Sequence, residues 1–222
     1  MGVSLGGSGQ YLRRTANLPT STAFTIAGWV KIRSVRSSAY QYFFNLESAL
    51  SSATKYEDTG YNNTGGMEVE SDVNTGAVTS PPTATWLFVY LKCSGTGAGN
   101  LESGWMGNTD TNFTIGSATG SSFTTVLLQL GNDSYDEWCN VDLRAIRVWN
   151  VALTDAELKA EKASTTLVKT ANINAFWDLP STSNYTDSSG NGRDLTVGGS
   201  LTTSVDDPPI YTQNINIAWW TA

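Results

Sequence analysis

The chain has 222 residues, with 20 acidic side chains against 13 Lys and Arg, 21 Gly, 2 Cys and no His. That length suffices to bury a core in one β-rich unit, and the missing imidazole excludes Ser-His-Asp and Cys-His nucleophiles as well as His-dependent zinc sites. A formal charge of -7, with the basic residues scattered singly, argues against nucleic-acid partners and an anionic membrane surface.

No basic segment or apolar stretch follows Met1, so the sequence predicts a product made in the cytoplasm without a signal peptide. Gly6 stands where a myristoylation signal needs Ser or Thr. Ser and Thr make up about a quarter of the chain. With the glycines they punctuate short alternating runs, the pattern of a β-sandwich or barrel. The clearest strand covers residues 23–32, where Phe24, Ile26, Gly28, Val30 and Ile32 share one face by the period of two, and that face is expected to be core. Further strands are predicted over 40–46, 67–71, 85–93, 124–130 and 141–150, each bounded by Gly, Asn, Ser or Pro clusters. One helix is predicted near 154–164. Thr154 is its N-cap, Glu157 its capping-box partner, and Leu153 with Leu158 its hydrophobic staple. Residues 174–179 and 193–197 read as strands around a turn at 187–192, and the tail 210–220 is apolar enough to dock. No linker or repeat divides the chain, which reads as one domain over 1–222, with segment 171–222 completing the sheets or docking as a tail.

Five segments, in consistent order, carry a resemblance. Ser4-Leu5-Gly6-Gly7-Ser8-Gly9-Gln10-Tyr11-Leu12 is similar to an opening strand, Phe24-Thr25-Ile26-Ala27-Gly28-Trp29-Val30 to an "FTIxxWV" strand, and Thr85-Trp86-Leu87-Phe88-Val89 to a "W-x-x-V" strand. Residues 147–158 are similar to "RVWNxALTxAEI", and Phe176-Trp177-Asp178-Leu179 with Asp187-Ser188-Ser189-Gly190-Asn191-Gly192 to "WpL...DsSGNG". Together they resemble the laminin-G-like branch of the concanavalin A-like lectin and glucanase superfamily. The resemblance implies an all-β, two-sheet antiparallel jelly-roll sandwich, with a concave sheet and rim loops where relatives bind glycans or proteins, often with calcium. One departure is that Arg144 and Ala145 replace the acidic pair of the family's "IDEVRI" strand.

Glucanases of this fold use an E-x-D-x-E pattern on one strand. Glu68-Val69-Glu70-Ser71-Asp72 comes nearest but lacks the third partner, so it reads as a solvated strand face, and no catalytic residue is assigned. The densest oxygen donors are in the loop 132–137, where Asp133, Asp136 and Glu137 are the candidate Ca2+ ligands and a solvated turn is the competing reading. Trp29, Trp86, Trp149 and Trp177 lie inside strand patterns and are expected in the core. Tyr61, Trp105, Tyr135 and Trp138 sit among Gly, Asn and Asp and are the candidate sugar contacts. Trp219 and Trp220 are read as a docking tail for a neighbouring subunit or for the chain's own sandwich. Cys93 and Cys139 are read as free buried thiols in preference to a disulfide.

These features point first to a non-catalytic virion accessory, a phage capsid decoration or tail-attached protein, at a virion or extracellular surface. Its expected partners are neighbouring proteins in an assembly, further copies of itself and cell-surface glycans. The alternatives are a free-standing carbohydrate-binding module and, more remotely, a glycoside hydrolase.

Overall fold

A computed structural model describes residues 1–36 and 38–212. Its strands, in chain order, are β1 (Val3–Leu5), β2 (Tyr11–Arg14), β3 (Phe24–Ser34), β4 (Gln41–Glu47), β5 (Tyr56–Tyr61), β6 (Met67–Ser71), β7 (Thr75–Val78), β8 (Trp86–Cys93), β9 (Gly97–Met106), β10 (Thr114–Gly120), β11 (Leu127–Leu130) and β12 (Asn140–Trp149). The helix α1 (Asp155–Lys162) follows, then β13 (Ile173–Trp177), β14 (Thr196–Gly198), β15 (Thr202–Thr203) and a short turn of helix, α2 (Pro209–Thr212).

The strands form two antiparallel sheets packed as a sandwich. One has eight strands in the order β10-β9-β8-β3-β12-β1-β15, with β13 also paired to β12; the other has seven, in the order β14-β2-β11-β4-β5-β6-β7. The opening segment, read as one strand, is split between them, β1 pairing with β12 and β2 with β11. The interior is filled from both sides by Phe24, Ile26, Val30 and Ile32 of β3 and by Phe43, Phe44 and Leu46 of β4, joined by Val89, Leu128, Leu143 and Trp177. At one edge β7 meets β10. A Cβ on Gly76 would lie 1.9 Å from the Ser117 carbonyl oxygen, and one on Gly116 2.3 Å from that of Ala77, so only glycine allows this approach.

The expected core face of β3 is buried, and so is the opposite one. Trp29, Phe88, Tyr90 and Trp149 form a second apolar cluster on the outer side of the eight-stranded sheet, roofed by Leu153, Leu158 and Phe176. Trp86 belongs to this cluster and Trp177 to the main core, so all four strand tryptophans are buried. α1 carries the expected capping box, Thr154 accepting from the Glu157 N–H while Glu157 accepts from the Thr154 N–H. Its buried Glu161 lies 3.3 Å from Arg147 of β12, both side chains being fully buried. Arg144, at the departure from the family pattern, pairs with Asp178 at 3.4 Å and lies over the Tyr211 ring at 4.4 Å.

Several expectations are corrected. β5, β7, β9, β10 and β15 lie outside the predicted strands, because their apolar residues do not alternate cleanly. The predicted strand 193–197 begins only at Thr196, because the Asp187 carboxylate takes the N–H groups of Phe176, Ser189 and Arg193 into its turn. The predicted strand 124–130 is shortened to β11. Cys93 and Cys139 are free and buried. Trp219 and Trp220 lie outside the described residues.

Candidate functional site

The solvent side of the seven-stranded sheet carries rows of polar residues set by strand register. Gln129, Asn45, Asp58 and Glu70 lie side by side across β11, β4, β5 and β6; Glu47 faces Tyr56 in the next row, and Tyr42, Gly60 and Glu68 form a third. Alternation alone would put Tyr42 on the opposite face from Asn45 and Glu47. A β-bulge between Tyr42 and Phe44 inserts one residue and restores Tyr42 to the solvent side, leaving both Phe43 and Phe44 in the core. Gly60 faces this bulge because a Cβ there would sit 2.0 Å from the Gln41 carbonyl oxygen.

A loop then walls the rows on one side. Asn45 donates to the Asn132 carbonyl at 2.6 Å and Gln129 to that of Asp133 at 3.0 Å, which ties the loop to the sheet. Asp133 Oδ1 accepts the N–H groups of Tyr135 and Glu137 at 2.9 and 2.8 Å, closing a local turn. Tyr135 donates its hydroxyl to the Ala53 carbonyl at 2.6 Å, and Ser134 N–H donates to Glu47 at 3.1 Å. The result is a cavity of about 220 Å3 lined by Tyr40, Tyr42, Tyr56 and Tyr135 and by Glu47, Asp58, Glu70, Asp133 and Glu137. No Lys or Arg lines it. Tyr40 and Tyr42 stack with centroids 6.3 Å apart.

The hydroxyls of Tyr42 and Tyr56 donate to the two oxygens of Glu70, at 2.6 and 3.1 Å. Tyr42 also lies 3.2 Å from Glu68, but its one proton serves the shorter bond. Burial, and then the Glu70 charge, push Glu68 up to about 7. Burial does the same to Glu47, also to about 7, against the opposing hydrogen bonds of Ser134. Asp58 stands well above the ordinary carboxylate range, first through burial and then through Glu70 and Glu47. It is only 3% exposed, and its Oδ1 has no hydrogen-bond partner. Burial also raises Asp133 and Glu137, which share a hydrogen bond.

The structure therefore brings Asp133, Tyr135 and Glu137 together and separates them from the other sequence candidates. Asp136 turns away to accept from Ser8, from the Gly9 N–H at 2.9 Å and from Asn132 at 2.8 Å; despite its burial cost, these bonds hold it below the ordinary range. The three acids consequently do not converge as calcium ligands, and no group of three or more His, Cys, Asp or Glu among the described residues is arranged to hold a metal ion. Tyr61 is not a loop residue. It ends β5, is 2% exposed and points its hydroxyl at the Pro81 carbonyl. Trp105 lies in β9, packs against the core and donates to the Thr79 carbonyl at 2.8 Å. Trp138 is half-buried with the Arg36 guanidinium 3.8 Å over its ring. The Glu68–Glu70 face, expected to be solvated, is instead closed in by Tyr42, and Glu68 is 4% exposed. Sequence reasoning misses Tyr40, Tyr42, Glu47, Tyr56 and Asp58. In β5, Tyr56 and Asp58 stand two residues apart on one face, but Glu57 and Thr59 make the other face polar as well, so no alternation marks them.

No family model matches the chain, and no curated protein matches it. Solved structures do share the fold, a two-sheet antiparallel jelly-roll sandwich. A candidate carbohydrate-binding protein from Bacteroides ovatus superposes with a TM-score of 0.64 at 14% identity, covering 94% of this chain and 61% of its own. A heptameric SAP-like pentraxin from Limulus polyphemus gives 0.57 at 12% identity, covering 92% and 96%. Tailspike protein 2 of an Escherichia coli O157:H7 bacteriophage gives 0.53 at 11% identity, covering 81% of this chain and 28% of the tailspike. The chain thus spans less than two thirds of the Bacteroides protein and of the tailspike.

Proposed function

We propose that this chain is a non-catalytic, lectin-like carbohydrate-binding module whose site is the tyrosine and carboxylate cavity on the solvent side of the seven-stranded sheet. One observation carries the reading: four tyrosine rings and five carboxylates converge on a single cavity. Rings supply faces for the C–H side of a pyranose, and carboxylates accept from its hydroxyls. The Bacteroides neighbour adds support at the level of fold. The laminin-G-like assignment and a setting on a virion or extracellular surface belong to the same proposal, the latter supported by the shared fold of the tailspike. The test is a glycan array probed with and without a chelator, using the native protein and Tyr135→Ala. Selective binding that the variant loses is the expected result, and a blank array in both conditions overturns the reading.

A hydrolytic reading has one observation in its favour. Asp58 is a buried carboxyl held toward its protonated form beside Glu70, the state a general acid requires. Release of reducing ends from bound glycans, abolished in Asp58→Asn, would replace the binding module with an enzyme.

A further inference from the structure

Acidic side chains crowd the cavity and no basic one stands among them. Five carboxylates line it without a Lys or Arg, although buried acids are ordinarily paired with a cation or a set of donors. Glu70 has its two tyrosine hydroxyls and Asp133 has two backbone N–H groups. Asp58, in the middle row between Asn45 and Glu70, has neither: it lines the cavity, is 3% exposed, and its Oδ1 accepts from nothing. A ligand that fits such a wall brings its own cationic donor. Around it stand Tyr40 and Tyr135, 36% and 52% exposed at the mouth, with Tyr42 and Tyr56 deeper, and the negative faces of tyrosine rings also favour a cation. A volume of about 220 Å3 lies below the roughly 300–1,000 Å3 of pockets for drug-sized ligands. It leaves room for one ring-sized group, not for a long stretch of oligosaccharide.

From the unpartnered Asp58 inside this uncompensated acidic, tyrosine-lined cavity we infer that the glycan it selects carries a free primary ammonium, an amino sugar that is not N-acylated. The inference rests on the carbohydrate-binding reading above and specifies its ligand class. On binding, Asp58 releases to solvent the proton that burial favours in the free protein and accepts from the ammonium, with Glu70 in the same wall to share its charge, while the pyranose lies against Tyr135 and Tyr40. An N-acetyl group in the same place has no charge and offers one amide N–H in place of three donors. Calcium is not the cation inferred, because the acids do not converge as metal ligands.

Calorimetric titration separates the alternatives. The native protein, in a chelator at pH 6, is titrated with the tetramer of β-1,4-linked glucosamine, with its N-acetylated counterpart and with the neutral glucose tetramer. The expected result is that the amine form binds about tenfold or more tightly than either other ligand, the scale of a charge-assisted hydrogen bond. Asp58→Asn is nearly isosteric, cannot ionise and removes that preference, while Glu70→Gln weakens it. Equal affinity for all three tetramers would overturn the ammonium inference and leave the carbohydrate-binding reading standing. No binding of any glycan would overturn both. Binding that appears only when calcium replaces the chelator would assign the cavity to the metal and likewise overturn the inference.

Discussion

Replacing Glu57 by Gln tests whether the sandwich core holds a protonated carboxyl. Glu57 lies on the inward side of β5, fully buried, with Oε1 accepting from the Ser121 N–H at 2.8 Å and Oε2 buried without a partner. Burial is the largest influence and pushes it from 4.5 up to about 8, against the backbone bond from Ser121. An acid whose folded pKa is raised binds more protons folded than unfolded, so stability falls as pH climbs from the unfolded value toward the folded one. At 1.36 kcal/mol per pH unit, Glu57 alone removes about 3–4 kcal/mol of stability between pH 5 and pH 8. Gln keeps an acceptor for Ser121 and cannot ionise. In urea unfolding, Glu57→Gln is therefore expected to match the native protein at pH 5 and to exceed it by about 3 kcal/mol at pH 8. Glu47 and Glu68 titrate in both proteins, so their contributions cancel in the comparison. A difference between the two proteins that stays constant across this window would refute the argument, because Glu57 would then ionise in the core without cost.

Other perturbations read other parts of the fold. Arg147→Met leaves Glu161 buried without its counter-charge under α1 and should cost about 3–5 kcal/mol, seen as a large fall in thermal midpoint; a loss under about 1 kcal/mol would mean that the pair contributes little. Gly76→Ala places a Cβ against the Ser117 carbonyl, and overpacking of about 1–3 kcal/mol is expected, with faster amide exchange along β7 and β10; unchanged exchange contradicts the close approach. Thr154→Ala removes one half of the capping box, a loss of about 1 kcal/mol in chemical denaturation.

Local chemistry makes much of this fold legible in the sequence. The alternation of Phe24, Ile26, Val30 and Ile32 marks β3, and the Thr154 to Glu157 spacing marks the start of α1, because both patterns act within a few residues. The two sheets follow from the run of short, turn-bounded strands. β5 is hidden because Glu57 faces the core while Asp58 faces the cavity, so neither face reads as apolar.

The site belongs to the tertiary structure. The sequence singles out Asp133, Tyr135 and Glu137 as residues of interest, but the partners that make a cavity with them come from β4, β5 and β6 and from Tyr40 just ahead of β4. Register sets Asp58 beside Glu70 and Glu47 beside Tyr56, and the extra residue of the bulge turns Tyr42 outward. Trp105 and Tyr61, plausible contacts by composition, are claimed instead by the packing of neighbouring strands. A single sequence specifies which side chains alternate along a strand, whereas which strands lie side by side, and in what register, is decided by the joint burial of both sheets.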